Sequence, residues 1–80
     1  MVLIYLPADY DDCPEWFKNY IQYLTHTYNL DELDEEESIR ICFNDIESHK
    51  GAITLDDENI IKLLTFQSEK DFNFFLLKWS

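Results

Sequence analysis

Residues 31–37 read Asp31-Glu32-Leu33-Asp34-Glu35-Glu36-Glu37, a run in which six of the seven side chains are carboxylates. Taking an ionised carboxylate out of water without a partner costs several kcal/mol or more. The run must therefore lie at the surface, and the rest of the chain must supply the fold that holds it there. It predicts a positively charged partner without identifying that partner.

The composition predicts one small folded domain covering residues 1–80. A chain of this length buries only about 60% of its unfolded surface, so it depends on large side chains. Here 46% of the residues are hydrophobic and 16% are aromatic, with a single glycine. A disordered acidic segment would be poor in aromatic residues.

The net charge of −11 comes from seventeen acidic and six basic residues. Phosphate groups and anionic membranes bind basic surfaces, so nucleic acid and membranes are excluded as direct partners. The charge favours a basic protein surface, a cationic ligand or a metal ion. The alternative is that it serves only to keep a small hydrophobic protein soluble.

The N-terminus and the cysteines indicate a soluble, cytoplasmic protein. The apolar residues 1–6 are too few for a secretory signal and lack a basic leader. No apolar run approaches the ~20 residues of a membrane span. Cys13 and Cys42 are too few for a disulfide scaffold, so free thiols are favoured, with a single bridge as the alternative.

The first half of the chain predicts a strand and a helix. Val2–Leu6 is a continuous apolar run that ends at Pro7, which is typical of a buried, central strand. Asp12-Cys13-Pro14-Glu15 is typical of a helix start, with Asp12 as the cap. The helix should extend to Tyr28 and bury an apolar stripe, which comprises Phe17, Tyr20, Ile21, Leu24 and Tyr28.

The acidic run itself predicts at most one short helical turn, anchored by Leu30 and Leu33. Asp31 and Glu32 suit the N-terminus of such a turn, whereas Glu35–Glu37 gain nothing from it.

The second half predicts three strands and a final helix. Ile39–Phe43 alternates apolar and polar residues, Ala52–Leu55 follows a turn that contains the only glycine, and Ile60–Phe66 follows the tight turn Asp56–Asn59. A helical face is the alternative for Ile60–Phe66. Ser68 caps the last helix, whose apolar stripe comprises Phe72, Phe75, Leu76 and Trp79.

The resulting order is β-α-β-β-β-α. It predicts an α+β two-layer sandwich, in which an antiparallel sheet has two helices on one face. An uncovered sheet face that still carried Ile or Leu would be a docking surface.

No catalytic, metal or cofactor motif is present in the sequence. No cysteine or serine has a local nucleophile signature, and the shortage of glycine excludes phosphate-binding loops. Cys13, His26, Cys42 and His49 lack the close pairs of a zinc site. Neither acidic loop has the glycine of an EF-hand, and no carboxylate pair occupies an apolar setting. We therefore expect a protein that is not an enzyme and needs no cofactor.

The acidic residues fall into three main clusters, which are the candidate binding residues. B-DNA presents about one negative charge per 1.7 Å of axis, and spaced carboxylates on a folded domain can imitate that array. Tyr10 and Tyr28 would add contact area at the rim. The clusters are Asp9, Asp11 and Asp12; Asp31, Glu32, Asp34, Glu35, Glu36 and Glu37; and Asp56, Asp57 and Glu58.

The C-terminal part of the chain resembles the ending of small tailed-phage proteins, which consists of a strand, an acidic-capped helix and a Phe/Leu-Lys-Trp-like tail. The matching segments are Ile60-Ile61-Lys62-Leu63-Leu64-Thr65-Phe66, Ser68-Glu69-Lys70-Asp71 and Phe74-Phe75-Leu76-Leu77-Lys78-Trp79. The resemblance implies a phage origin, and small acidic phage proteins include DNA-mimic inhibitors of restriction, CRISPR and repair enzymes. No functional residue is transferred from it.

Two hypotheses follow. The first is a phage-type inhibitor in the cytoplasm of a bacterial host, where its acidic clusters bind the basic groove of a nucleic-acid-binding defence protein such as a CRISPR effector or a restriction enzyme. The second is a protein-interaction module or oligomeric subunit, such as a homodimer, that uses an apolar sheet face and is acidic only for solubility.

Overall fold

The chain forms a short strand, two helices, a β-hairpin and a third helix in the computed structural model, which describes all residues from Met1 to Ser80. The predicted α+β class with an antiparallel sheet is confirmed. The elements are β1 Val2–Tyr5, α1 Glu15–Tyr28, α2 Glu35–Ser48, β2 Gly51–Leu55, β3 Ile61–Phe66 and α3 Glu69–Trp79, with 3-10 turns at Tyr10–Asp12 and Leu30–Glu32.

The sheet has the order β1-β3-β2, and both outer strands pair antiparallel with β3. The predicted strand at Ile60–Phe66 is therefore confirmed, and it is the central one. The prediction that Val2–Leu6 is central was wrong, because β1 is an edge strand. Its alternate side chains Leu3 and Tyr5 are 52% and 74% exposed, on a sheet face that no helix covers.

The core lies between the other face of the sheet and the three helices. All three helices contribute fully buried side chains that pack with Leu64 and Phe66 of β3. Phe75 of α3 is at the centre, with its ring 4.8 Å from that of Tyr20 and 5.1 Å from that of Phe66. The buried core comprises Leu6, Cys13, Phe17, Tyr20, Leu24, Ile46, Leu64, Phe66 and Phe75.

The predicted strand at Ile39–Phe43 was wrong, because these residues lie within α2. The Asp34 side chain caps this helix by accepting from the backbone N–H of Glu37 at 2.9 Å. Glu35–Glu37 occupy its first turn, where carboxylates are favoured by the helix dipole, contrary to the expectation that they gain nothing there. The element order is accordingly β-α-α-β-β-α.

An alternation over five residues is compatible with both a strand and a helix. At residues 39–43 the pattern over a longer stretch favours the helix. Ile39, Cys42, Phe43 and Ile46 fall at helical spacing, and Ile46 is fully buried. Gly51, at the start of β2, lets α2 approach the sheet. A Cβ there would lie 3.0 Å from both Ile46 Cγ1 and Phe66 Cε1.

The predicted N-terminal cap is confirmed for α3 and wrong for α1. Ser68 caps α3 as predicted, and its Oγ accepts from the backbone N–H of Asp71 at 3.2 Å. The predicted cap of α1 was wrong, because Asp12 lies in the 3-10 turn Tyr10–Asp12 and Pro14 occupies the N-cap position without a side-chain bond. No helix has the length and hydropathy needed to cross a membrane.

Candidate functional site

The strand directions bring the three predicted acidic clusters to one end of the molecule. β1 and β2 run parallel to each other on either side of β3, so both end where β3 begins. Asp9–Asp12 follow β1, and Asp56–Glu58 connect β2 to β3. A short turn joins α2 to β2 and the two elements pack side by side in opposite directions, so the acidic N-terminus of α2 lies at this end too. The Leu30–Glu32 turn lies beside it, since the Leu30 carbonyl accepts from Ser38 Oγ at 3.2 Å. We call these twelve carboxylates the acidic end.

A hydrogen bond and a shared pocket join the three segments. Asn59, in the β2–β3 turn, donates from Nδ2 to Glu35 Oε1 of α2 at 3.1 Å. Ile60, next to it, lines a pocket together with Tyr10 of the first acidic segment. The β2–β3 turn therefore lies between the other two segments.

In each segment, one aspartate side chain accepts hydrogen bonds from nearby backbone N–H groups. Asp9 Oδ1 accepts from the N–H of Asp11 at 3.0 Å, and Asp34 caps α2. Asp56 Oδ1 accepts from the N–H groups of Glu58 at 2.8 Å and Ile60 at 3.0 Å. These three carboxylates are structural, which the sequence did not distinguish from the others.

The remaining carboxylates of the acidic end are exposed. Glu37 accepts from Arg40 Nη2 at 3.3 Å, and Glu35 from Asn59. The others have no hydrogen-bonding or ion-pair partner in the protein, so their charges are available to a partner. They are Asp11, Asp12, Asp31, Glu32, Glu36, Asp57 and Glu58.

The opposite end of the molecule carries half of the basic residues. Lys50 lies in the α2–β2 turn, and its carbonyl accepts from the N–H of Gln67 at 3.1 Å. Lys78 Nζ is 3.5 Å from His49 Nε2 beside that turn, and Lys70 lies in the first turn of α3. Glu47, Glu69 and Asp71 lie at the same end and balance these lysines, so the net negative charge of the chain is concentrated at the acidic end.

The structure separates the two tyrosines that were predicted to form a rim. Tyr10 lies within the acidic end, and its hydroxyl donates to the Lys18 carbonyl at 3.3 Å. Tyr28 lies beside a hollow lined by Ile41 and Asp45, on the side of α2 that faces α1. Tyr10 lines a pocket with Ile60 of the β2–β3 turn, and Tyr28 does not line that pocket.

The role of Asp56 gives a test that separates structure from charge. Asp56→Ala is expected to lower the free energy of unfolding by about 1–2 kcal/mol, because two backbone N–H groups lose their acceptor. Asp56→Asn removes the same charge but keeps an oxygen acceptor, so it should stay within about 0.5 kcal/mol of the wild type. Urea titration of both variants measures this difference, and equal losses would contradict the assignment.

A half-buried polar cluster that the sequence did not predict lies between α1 and α2. The Tyr20 hydroxyl donates to Asp45 Oδ2 at 2.6 Å, and His49 Nδ1 lies 3.0 Å from the Asp45 carbonyl. Ser48 Oγ is 3.3 Å from the same Nδ1, while Nε2 faces Lys78. In a nucleophilic triad the serine and the acid bind opposite ring nitrogens, so this geometry differs from one.

Burial raises the pKa of Tyr20 above its ordinary value of 10.0, and the hydrogen bond to Asp45 and its charge raise it further. Below about pH 10 the phenol is protonated in both the folded and the unfolded chain. Above that pH only the unfolded chain ionises it, so stability is expected to fall by up to about 1.4 kcal/mol per pH unit. Tyr20→Phe should show a shallower fall between pH 9 and about 11, which thermal unfolding measures; an unchanged slope would contradict the assignment.

The two thiols are free, as the sequence favours. Burial raises the pKa of both, and the Asp45 charge adds to this effect at Cys42. Cys13 Sγ donates to the Asp9 carbonyl at 3.5 Å, which links the buried thiol to the first acidic segment. No group of three or more His, Cys, Asp or Glu side chains has a geometry suited to a metal ion.

Comparison with known proteins identifies no relative: no family model matches the chain, and neither the curated proteins nor the solved structures include a significant match. The geometry of the acidic end is therefore the basis for a functional assignment.

Proposed function

We propose that the chain is a non-enzymatic inhibitor that binds the basic groove of a nucleic-acid-binding protein through the acidic end. The observation that supports this proposal is the convergence of three separate acidic segments, which hold twelve of the seventeen acidic residues, at one end of the molecule. The resemblance of the C-terminal segments to phage proteins makes a bacterial CRISPR effector or restriction enzyme the first class of partner to test.

The charge density agrees with this proposal. Twelve phosphates of B-DNA occupy about 20 Å of helix axis, at about 1.7 Å per charge. The whole molecule measures only 34 × 25 × 21 Å, so the carboxylates gathered at its acidic end are spaced on the same scale as DNA phosphates. Each exposed ion pair contributes little alone, which means that the carboxylates must act together.

The experiment is a competition between this protein and DNA for proteins of a bacterial lysate. The chain is immobilised through its C-terminus, bound proteins are identified by mass spectrometry, and elution with a short DNA duplex is compared with elution by salt. Nucleic-acid-binding proteins are expected to be retained and to be released by either treatment, since DNA competes for the groove and salt screens the ion pairs that hold the acidic end in it. Retention that resists both, or no retention, would overturn the proposal.

A second candidate function is self-association through β1, which the open sheet face favours. The Leu6 N–H donates to the Lys62 carbonyl at 2.9 Å, so the backbone groups of Leu3 and Tyr5 point away from β3 to a free edge. Both side chains are exposed on the uncovered face. Antiparallel pairing of β1 with a second copy would place the acidic end of each chain beside the lysine-bearing end of the other.

Light scattering across a range of concentrations tests this candidate. A dimer is expected for the wild type, and Leu3→Lys/Tyr5→Lys should be monomeric because two like charges then face each other on the joined sheets. A wild-type monomer at every concentration would rule out the β1 dimer.

A further inference from the structure

We infer that the apolar pocket beside the acidic end receives an apolar side chain of the partner, from a segment in which Lys or Arg flanks that side chain. The pocket has a volume of about 190 Å³ and is lined by eight residues, seven of them hydrophobic. Occupancy of this pocket rests on the proposed function, because the same partner must bind the acidic end.

Three segments of the chain build the pocket. Pro7, Ala8 and Tyr10 come from the loop after β1, and Phe17 from α1 forms part of its wall. Ile60, which is 38% exposed, comes from the β2–β3 turn. An apolar cavity of about 150 Å³ holds a benzene molecule, so this one has room for a leucine or phenylalanine side chain.

The charges around the pocket identify the occupant. Asp9, Asp11 and Asp12 belong to the same loop as Ala8, and Asp57 and Glu58 immediately precede Asn59 and Ile60. An apolar group that enters the pocket therefore has carboxylates in both flanking segments. Anionic ligands and a second copy of this acidic chain are repelled there, whereas a basic segment with an apolar anchor satisfies both the pocket and its rim.

A β-bulge in β3 helps to form the pocket at this position. Thr54 pairs with Leu63 but Leu55 pairs with Ile61, so Lys62 is an extra residue in β3. This bulge turns Ile61 back toward the core, where it forms part of the pocket, while Lys62 is exposed.

The test uses two synthetic peptides of equal charge, in which lysines flank either a central leucine or a central alanine. Wild-type protein is expected to bind the leucine peptide about tenfold more tightly at fixed salt, because the leucine side chain leaves water. Ala8→Trp fills the pocket and should reduce that ratio to about one without weakening the alanine peptide. Ala52→Trp, on the uncovered sheet face, is the matched control and should keep the ratio.

The outcomes separate the pocket from the proposed function. If neither peptide binds, the proposed function fails and the pocket assignment fails with it. If both bind equally to wild type, or if Ala8→Trp retains the leucine preference, only the pocket assignment fails. Because the tryptophan could distort the pocket, Ile60→Ser provides a second variant that removes apolar surface without filling space. It is expected to lower the preference for the leucine peptide about threefold.

Discussion

Asp57→Lys/Glu58→Lys is expected to bind the lysine–alanine peptide about a hundredfold more weakly than the wild-type protein at an ionic strength of about 0.1 M. Each substitution replaces an attraction with a repulsion in the middle segment of the acidic end, between the two other acidic segments. Both side chains are exposed and make no hydrogen bond in the folded chain, so the fold should survive. Fluorescence anisotropy at increasing salt measures the dissociation constants.

The matched control is Glu47→Lys/Glu69→Lys, which changes the net charge by the same amount. Both glutamates are exposed and lie outside the acidic end, near the C-terminus of α2 and the N-terminus of α3. This control is expected to weaken binding less than fivefold, because screening limits the reach of exposed charges to about 8–10 Å at ordinary salt. Equal losses in the two variants would mean that net charge alone attracts the peptide.

Phe75→Ala is expected to lower the free energy of unfolding by about 3–5 kcal/mol. The ring is 1% exposed and packs against Tyr20, Phe66 and Trp16 at the junction of the sheet with α1 and α3. A domain of this size has a total stability of roughly 4–12 kcal/mol, so the loss removes a large part of the total. Denaturant unfolding with an unchanged m-value measures it.

The neighbouring Phe74→Ala provides the control for that prediction. Phe74 is 62% exposed, and Lys70 Nζ lies 6.0 Å from its ring centroid. The same chemical change at this position should cost less than about 1 kcal/mol. A similar loss at both positions would contradict the assignment of Phe75 to the centre of the core.

Most local structure follows from short sequence signals. The cap at Ser68, the tight turn at Asp56–Asn59 and the helical stripe of α1 each depend on residues within a few positions of one another. These signals predicted α1, α3, β2 and β3 close to their observed bounds. The strand predicted at Ile39–Phe43 failed because a short alternation is compatible with both periods, and the cap at Asp34 was overlooked.

The sequence alone determined that the protein is a small α+β domain whose surface carries a large excess of carboxylates, because burying those charges costs more than the fold can supply. Which carboxylates face a partner together was decided by the tertiary structure. Only the strand order β1-β3-β2 and the return of α2 along β2 bring residues 9, 35 and 57 to one end. Those relations depend on contacts between distant parts of the chain, which no local pattern encodes.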